Sequence, residues 1–136
     1  MGRQITKDFA ADEFACKHCG QQGIRAAFVE VLQRLRDAIG QPLIVTSGYR
    51  CARHPIEARK QKTGRHAEGI AADVSGAPLD EIWQHAQQMP EFNGIGIAPH
   101  QNYIHLDTRP GPRVLWAYNR AGQQVKWSGK WEELPN

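Results

Sequence analysis

The segment YIHLDTR (103–109) constrains this chain more than any other stretch. In an extended strand, successive side chains point to opposite faces. Tyr103, His105, Asp107 and Arg109 therefore share one face, and Ile104, Leu106 and Thr108 the other. The apolar face belongs on a core. The other face can turn inward only where its polar groups find partners, because an unpaired buried polar or charged group is costly.

A second short segment poses the same problem. GIAADVSG (69–76) reads as a buried strand that carries one carboxylate, Asp73. Buried carboxylates are rare unless they are paired or bound to a metal. His66 precedes this strand in a loop that Gly69 frees to turn, and the small Ala71 and Ala72 let neighbouring elements approach. His66, Asp73 and His105 thus offer two imidazoles and a carboxylate from three segments. That is the ligand count of a catalytic zinc site, whose fourth position is left to water. Each residue alone is a weak signal. A lone histidine is more often not a ligand, and a lone aspartate at a strand end usually caps or pairs. Asp107, on the face of His105, is placed to orient a ligand or a catalytic group.

Around these segments the periodicity predicts a helix over 25–40, with Phe28, Leu32, Leu35 and Ile39 on one side and Gly40 to stop it. It predicts a second helix over 78–89, opened by Pro78. Strands are predicted over 41–50, 69–76, 94–99 and 103–109. The stretches 113–118 and 123–127 flank NRAG as a hairpin within a C-terminal region, 113–131. Residues 51–64 read as an exposed loop with a short helix. Residues 1–24 read as an irregular arm anchored by Phe9 and Phe14. The order gives an α+β fold, an antiparallel sheet with helices packed on one side. A chain of 136 residues suits a single domain, 1–136.

Composition removes some function classes. No apolar run approaches the roughly 20 residues that span a bilayer, so no membrane insertion is expected. The first residues hold no apolar core of a secretory signal, so release by some other route is expected if the protein acts outside the cytoplasm. The net charge of +3 is spread thinly, which argues against nucleic acid and suits an anionic polymer such as a bacterial cell wall. Three cysteines, Cys16, Cys19 and Cys51, argue against a fully paired disulfide framework. CKHCG (16–20) has metal-knuckle spacing, and Cys51 or His18 would extend it. A structural metal site, a disulfide involving Cys51 and buried free thiols all stay open. Trp83 and Trp116 sit in apolar patterns and read as core. Trp127 and Trp131 read as surface contacts or as a seal on the C-terminal hairpin.

TSGYRC (46–51), HAEGIAAD (66–73) and GIGIAPHQNYIHLDTR (94–109) resemble the zinc D-alanyl-D-alanine carboxypeptidase family, peptidoglycan peptidases with the hedgehog-type metallopeptidase fold. The resemblance covers roughly 9–118 and is nearest to short versions from phages and prophages. It implies one Zn2+ held by His66, Asp73 and His105. It implies Arg50 facing the substrate, with Ser47 and Arg109 as further substrate contacts, Ser47 and Tyr49 holding the turn, and Asp107 among the catalytic residues. Arg65 is a second candidate for a substrate carboxylate. Some branches place a glutamate where this chain has Asn102, which cannot act as a base; others use a nearby histidine, a role His100 could fill as general base, its alternative reading being an exposed loop histidine after Pro99. Gly64 and Arg65 stand where many relatives have Ser-x before the first ligand, and Glu68 is expected in solvent. The implied substrate is the peptide stem of peptidoglycan, cut by a monomeric carboxypeptidase or endopeptidase acting on the wall after release. The alternatives are a non-catalytic zinc-binding or wall-binding module of the same fold, and a small zinc-ribbon nucleic-acid binder built on Cys16, His18, Cys19 and Cys51.

Overall fold

A computed structural model describes residues 3–51, 53–58 and 64–135. In chain order the elements are α1 (Ala26–Ile39), β1 (Ile44–Ser47), α2 (Pro55–Ala58), β2 (Ala71–Ser75), α3 (Leu79–Ala86), β3 (Gly94–Ala98), β4 (Tyr103–Asp107), β5 (Val114–Tyr118) and β6 (Gln124–Lys126). Short 3-10 turns at Ala11–Phe14 and Trp131–Glu133 flank them. The short helix expected within 51–64 is α2; residues 52 and 59–63 of that loop lie outside the described residues.

α1 forms where the apolar period places it. Phe28, Val29, Leu32 and Leu35 are buried, and the helix ends at Gly40, whose φ of 73° is left-handed and whose N–H donates to Arg36 O at 2.9 Å. α3 buries Ile82, Trp83 and Ala86. The Arg113 guanidinium closes the segment after it, donating to Gln87 O at 2.6 Å, Met89 O at 2.6 Å and Phe92 O at 2.9 Å.

The six strands form one sheet in the order β1-β2-β4-β3-β5-β6. The antiparallel pairing predicted from the sequence holds for β1–β2, β2–β4, β3–β4 and β5–β6, but β5 joins β3 in parallel. The sheet is therefore mixed. The cause is the connection 108–113. It passes the start of β3, so that Gly94 is paired with Asp107 on one side and Val114 on the other, and the Val114 N–H donates to Asn93 O at 2.7 Å.

The two faces of this sheet have different occupants. Ala72, Val74, Ile95, Ile97, Ile104, Leu106 and Ala117 are fully buried in one cluster with Phe28, Leu32, Leu35, Ile82 and Phe92. Each such large apolar side chain contributes about 1.5–3 kcal/mol of burial. Phe9 and Phe14 anchor the N-terminal arm to this core as expected, both fully buried with ring centroids 5.6 Å apart. Trp127 packs edge-on against Trp83 at 4.8 Å, and Trp131 lies against the same cluster, so the C-terminal tryptophans seal the core. The opposite face, with Asp73, His105 and Trp116, is left for the site.

Candidate active site

Register puts the site in one row across the sheet. Asp73 is paired with His105, His105 with Gly96, and Gly96 with Trp116. His66 reaches this row from the turn before β2. That turn depends on Gly69, whose φ is +79° and whose missing Cβ would lie 2.2 Å from Gly23 O. The two β3 glycines leave space for what lies over them. A Cβ on Gly94 would sit 2.3 Å from the Asp107 carboxylate oxygens, and one on Gly96 would sit 2.4 Å from Trp116 Nε1.

His66, Asp73 and His105 converge, and all three are buried. His66 Nε2 lies 3.2 Å from His105 Nδ1 and 3.3 Å from Asp73 Oδ1, and His105 Nδ1 lies 3.1 Å from the same oxygen. The outward nitrogens fix what these inward atoms carry. His66 Nδ1 is 2.7 Å from Gly48 O, so it donates its proton there and Nε2 presents a lone pair. His105 Nε2 is 2.7 Å from Asp107 Oδ2, which leaves the Nδ1 lone pair facing inward when the ring is neutral. Three lone pairs then meet with no proton to share. The spacing suits a metal: a tetrahedral ion with bonds of about 2.0–2.1 Å has ligand–ligand edges of about 3.3–3.4 Å. The donor set therefore fits a divalent ion.

The surroundings act on each group of the triangle differently. Burial pushes the Asp73 carboxyl up, but hydrogen bonds from His105 and His66 outweigh it and hold the group well below the usual range. Burial lowers His66. It also acts downward on His105, where the Asp107 and Asp73 carboxylates prevail and raise the imidazole. Burial would raise Asp107, yet Arg109 and His105 hold it well below an ordinary carboxylate. Asp107 is fully buried and accepts from Arg109 Nε at 2.9 Å and Arg109 Nη2 at 2.7 Å.

The triangle opens into a cleft of about 300 Å³ whose walls include Arg50, Arg65, Arg109, Tyr103, Trp116 and Tyr118. Arg50 Nη2 lies 3.5 Å from Asp73 Oδ2, the oxygen turned away from the imidazoles. The Trp116 ring lies 5.1 Å from the His105 ring, with the Arg109 guanidinium over it at the same distance. Tyr103 and Tyr118 stand 5.6 Å apart, and burial raises both phenols, which keeps their hydroxyls protonated.

A family model described as Peptidase M15 matches residues 7–107, the span that includes all three converging side chains. The chain belongs to the M15 peptidase family. This M15 chain is also similar to the peptidoglycan L,D-endopeptidase MepK of Escherichia coli K12, with 31% identity over 104 residues. MepK of Shigella flexneri matches with the same identity and length. The alignment covers 70% of this chain and 56% of those relatives, so the M15 chain spans little more than half their length.

The sequence-predicted residues of the M15 chain divide into two sets. His66, Asp73, His105, Arg50 and Arg109 meet at the cleft. Arg109 comes with its guanidinium already held by Asp107, and Arg65 with its Nη1 3.1 Å from Glu68 Oε2. Glu68, expected in solvent, is thus a partly exposed ion-pair partner. Ser47 pairs with Asp73 along the backbone but is not on the cleft wall. His100 is also absent from it. It lies exposed on the β3–β4 turn with Nε2 3.2 Å from Pro135 O. Asp107 is not on the cleft wall; its Oδ2 lies 2.7 Å from His105 Nε2, on the side of the ring away from Asp73. Trp116, read from sequence as core, is buried but forms cleft wall, and Tyr103 and Tyr118 complete that wall. The signal was the alternation Val114, Trp116, Tyr118, which shares the face of His105 once β5 is registered on Gly94 and Gly96.

Proposed function

We propose that this chain hydrolyses a peptide bond in the peptide portion of peptidoglycan, with one zinc ion held by His66, Asp73 and His105. The observation that carries the reading is the buried triangle of lone pairs with 3.1–3.3 Å edges at the floor of an open, cationic cleft. At such a three-ligand site zinc supplies Lewis-acid polarisation of a carbonyl and a lowered pKa for water. The protein does the rest. Asp107 holds His105 in the tautomer that keeps Nδ1 free, and Gly48 O does the same for Nε2 of His66. Arg50, beside Asp73, donates to the oxygen on which negative charge develops. The protonated hydroxyls of Tyr103 and Tyr118 offer donors to the substrate backbone. Trp116 covers one flank of His105 and keeps water from it.

Arg50, Arg65 and Arg109 on the cleft wall suit a peptide that carries carboxylates. The similarity to MepK, named as an L,D-endopeptidase, favours internal cleavage over the carboxypeptidase activity implied by the sequence motifs. A second reading has one specific observation behind it. Among the described residues, Asp73 is the only carboxylate on the cleft wall, so no second one stands ready as a general base. That arrangement also suits a module that binds wall peptide without turnover. The deciding experiment incubates purified peptidoglycan with the zinc-loaded chain and follows the fragments by mass spectrometry. Endopeptidase action separates cross-linked muropeptides into smaller ones. Carboxypeptidase action releases a single terminal residue. Intact muropeptides with zinc fully bound would sink the catalytic reading. Asp73→Ala is expected to lose both zinc and cleavage.

A further inference from the structure

The cysteines take no part in the cleft, yet the fold gathers them. Cys16, Cys19 and Cys51 are free thiols whose sulfurs all lie within 4.8 Å of one another, although Cys51 is distant in sequence. We propose that these sulfurs, with His18 as fourth donor, form a second, structural zinc site that fastens the N-terminal arm to the turn carrying Arg50.

The local backbone is built for this. The 16–21 segment folds back on itself: Cys16 N–H donates to Gln21 O at 2.8 Å and Gly20 N–H to Cys16 O at 2.7 Å. Gly20 has a φ of +77°, a conformation that favours glycine. This tight turn sets two sulfurs side by side at the CxxC spacing used by structural zinc sites. Cys51 arrives from the end of the SGYR turn, and its N–H donates to Cys16 Sγ at 3.3 Å, an interaction that favours charge on that sulfur. His18 Nδ1 lies 3.7 Å from Cys51 Sγ. Three thiolates and an imidazole make a closed four-ligand set of the kind soft donors offer to zinc. Edges in a tetrahedral zinc–thiolate site are about 3.8 Å for bonds of about 2.3 Å, within reach of small side-chain rotations.

The site would hold together pieces that already touch. Tyr49 N–H donates to Phe14 O at 2.8 Å, and a Cβ on Gly48 would sit 2.6 Å from Phe14 Cα. Gly48 O holds His66, and Arg50 N–H donates to His66 O at 3.3 Å. A metal at Cys51 would thus bear on both the substrate-facing arginine and the first proposed ligand of the catalytic triangle, while remaining chemically independent of it.

Metal analysis of the whole chain, purified under reducing conditions and loaded with zinc, tests this. Two zinc ions per chain are expected. Cys16→Ser is expected to keep one, at the triangle, and Asp73→Ala to keep the other, at the cysteines. Cobalt(II) exchange is expected to give a sulfur-to-metal charge-transfer band in Asp73→Ala and none in Cys16→Ser, because the triangle holds no sulfur. Should Cys16→Ser not fold, alkylation of the unmodified chain serves instead. All three thiols are expected to be protected with zinc and reactive after chelation. His18→Ala is expected to weaken the thiolate site by at least about tenfold, the loss typical even for an outer partner of a ligand. One zinc per chain that Cys16→Ser keeps and Asp73→Ala loses, a mass deficit of two hydrogens from a disulfide, or thiols equally reactive with and without chelator would each overturn the proposal; one zinc that Cys16→Ser loses would instead count against the triangle. Unchanged zinc affinity in His18→Ala would remove His18 from it.

Discussion

Replacing Asp107 by asparagine probes the claim that this buried carboxylate acts through His105. The wild-type carboxylate accepts from His105 Nε2 at 2.7 Å, from the Arg109 backbone N–H at 3.1 Å, and from the Arg109 Nε and Nη2 at 2.9 and 2.7 Å. Asparagine is of nearly the same size, but one of its two terminal groups is an amide N–H2. Whichever way it is turned, at least one strong donor then faces another donor. Hydrogen bonds to charged groups are worth about 1.5–3 kcal/mol each, and breaking a buried ion pair from one side costs about 3–5 kcal/mol. Arg109 keeps some solvent access, its side chain being 20% exposed, so the lower part of that range applies, about 2–4 kcal/mol. His105 meanwhile loses the acceptor that fixes its tautomer, a change that typically costs about 10–100-fold in metal affinity. Urea unfolding of the metal-free protein reads the first effect, and zinc titration against a chromophoric chelator reads the second. Arg109→Met separates them: it gives up the guanidinium contacts while the His105–Asp107 bond stays, so it should lose stability with less loss of affinity. If Asp107→Asn binds zinc within about twofold of wild type while stability falls, Asp107 merely pins Arg109 and the positioning role is wrong.

Further outcomes follow from other contacts. His100→Ala should leave kcat/KM on muropeptides within about twofold of wild type, because the ring lies outside the cleft against Pro135 O; a large loss would return it to the mechanism. Gly96→Ala places a methyl group 2.4 Å from Trp116 Nε1. Overpacking of this kind costs about 1–3 kcal/mol, and a changed near-UV circular dichroism should report the displaced indole. Arg113→Ala removes three hydrogen bonds to carbonyls behind α3. It should lower unfolding free energy by about 1–3 kcal/mol with zinc affinity untouched, as checked by the same urea and chelator titrations.

The converging side chains were legible in the sequence because two of them sit on strands. The alternation in 103–109 and the apolar run around Asp73 forced those polar groups onto one face, and pairing did the rest. His66 was harder, being placed by a turn, and it was the motif around it that singled it out. Arg50 likewise came from its motif. His100 and Ser47, which lie off the cleft wall, sit where periodicity gives no direction. His100 lies on a turn, where one rotation of the backbone decides between cleft and solvent. Ser47 lies at a strand end where the β1–β2 register shifts. The parallel β3–β5 pair could not be read from local pattern, since a short connection such as 108–113 is equally compatible with an ordinary hairpin neighbour. Trp116 went to the core for that reason. Without the position of β5, nothing indicates that its alternation faces His105 rather than α1.

The row that runs Asp73, His105, Gly96, Trp116 also limits how such a chain can vary in length. Because faces alternate, inserting or deleting one residue within β2 or β4 would replace Asp73 or His105 in the row by an apolar neighbour and drive a carboxylate into the core face. Length changes are therefore confined to the connections. Two of these, 50–65 and 108–113, contribute Arg50, Arg65 and Arg109 to the cleft wall. A lineage built on this sheet is thus free to lengthen or trim the cleft wall, while the strands that carry Asp73 and His105 must keep their count.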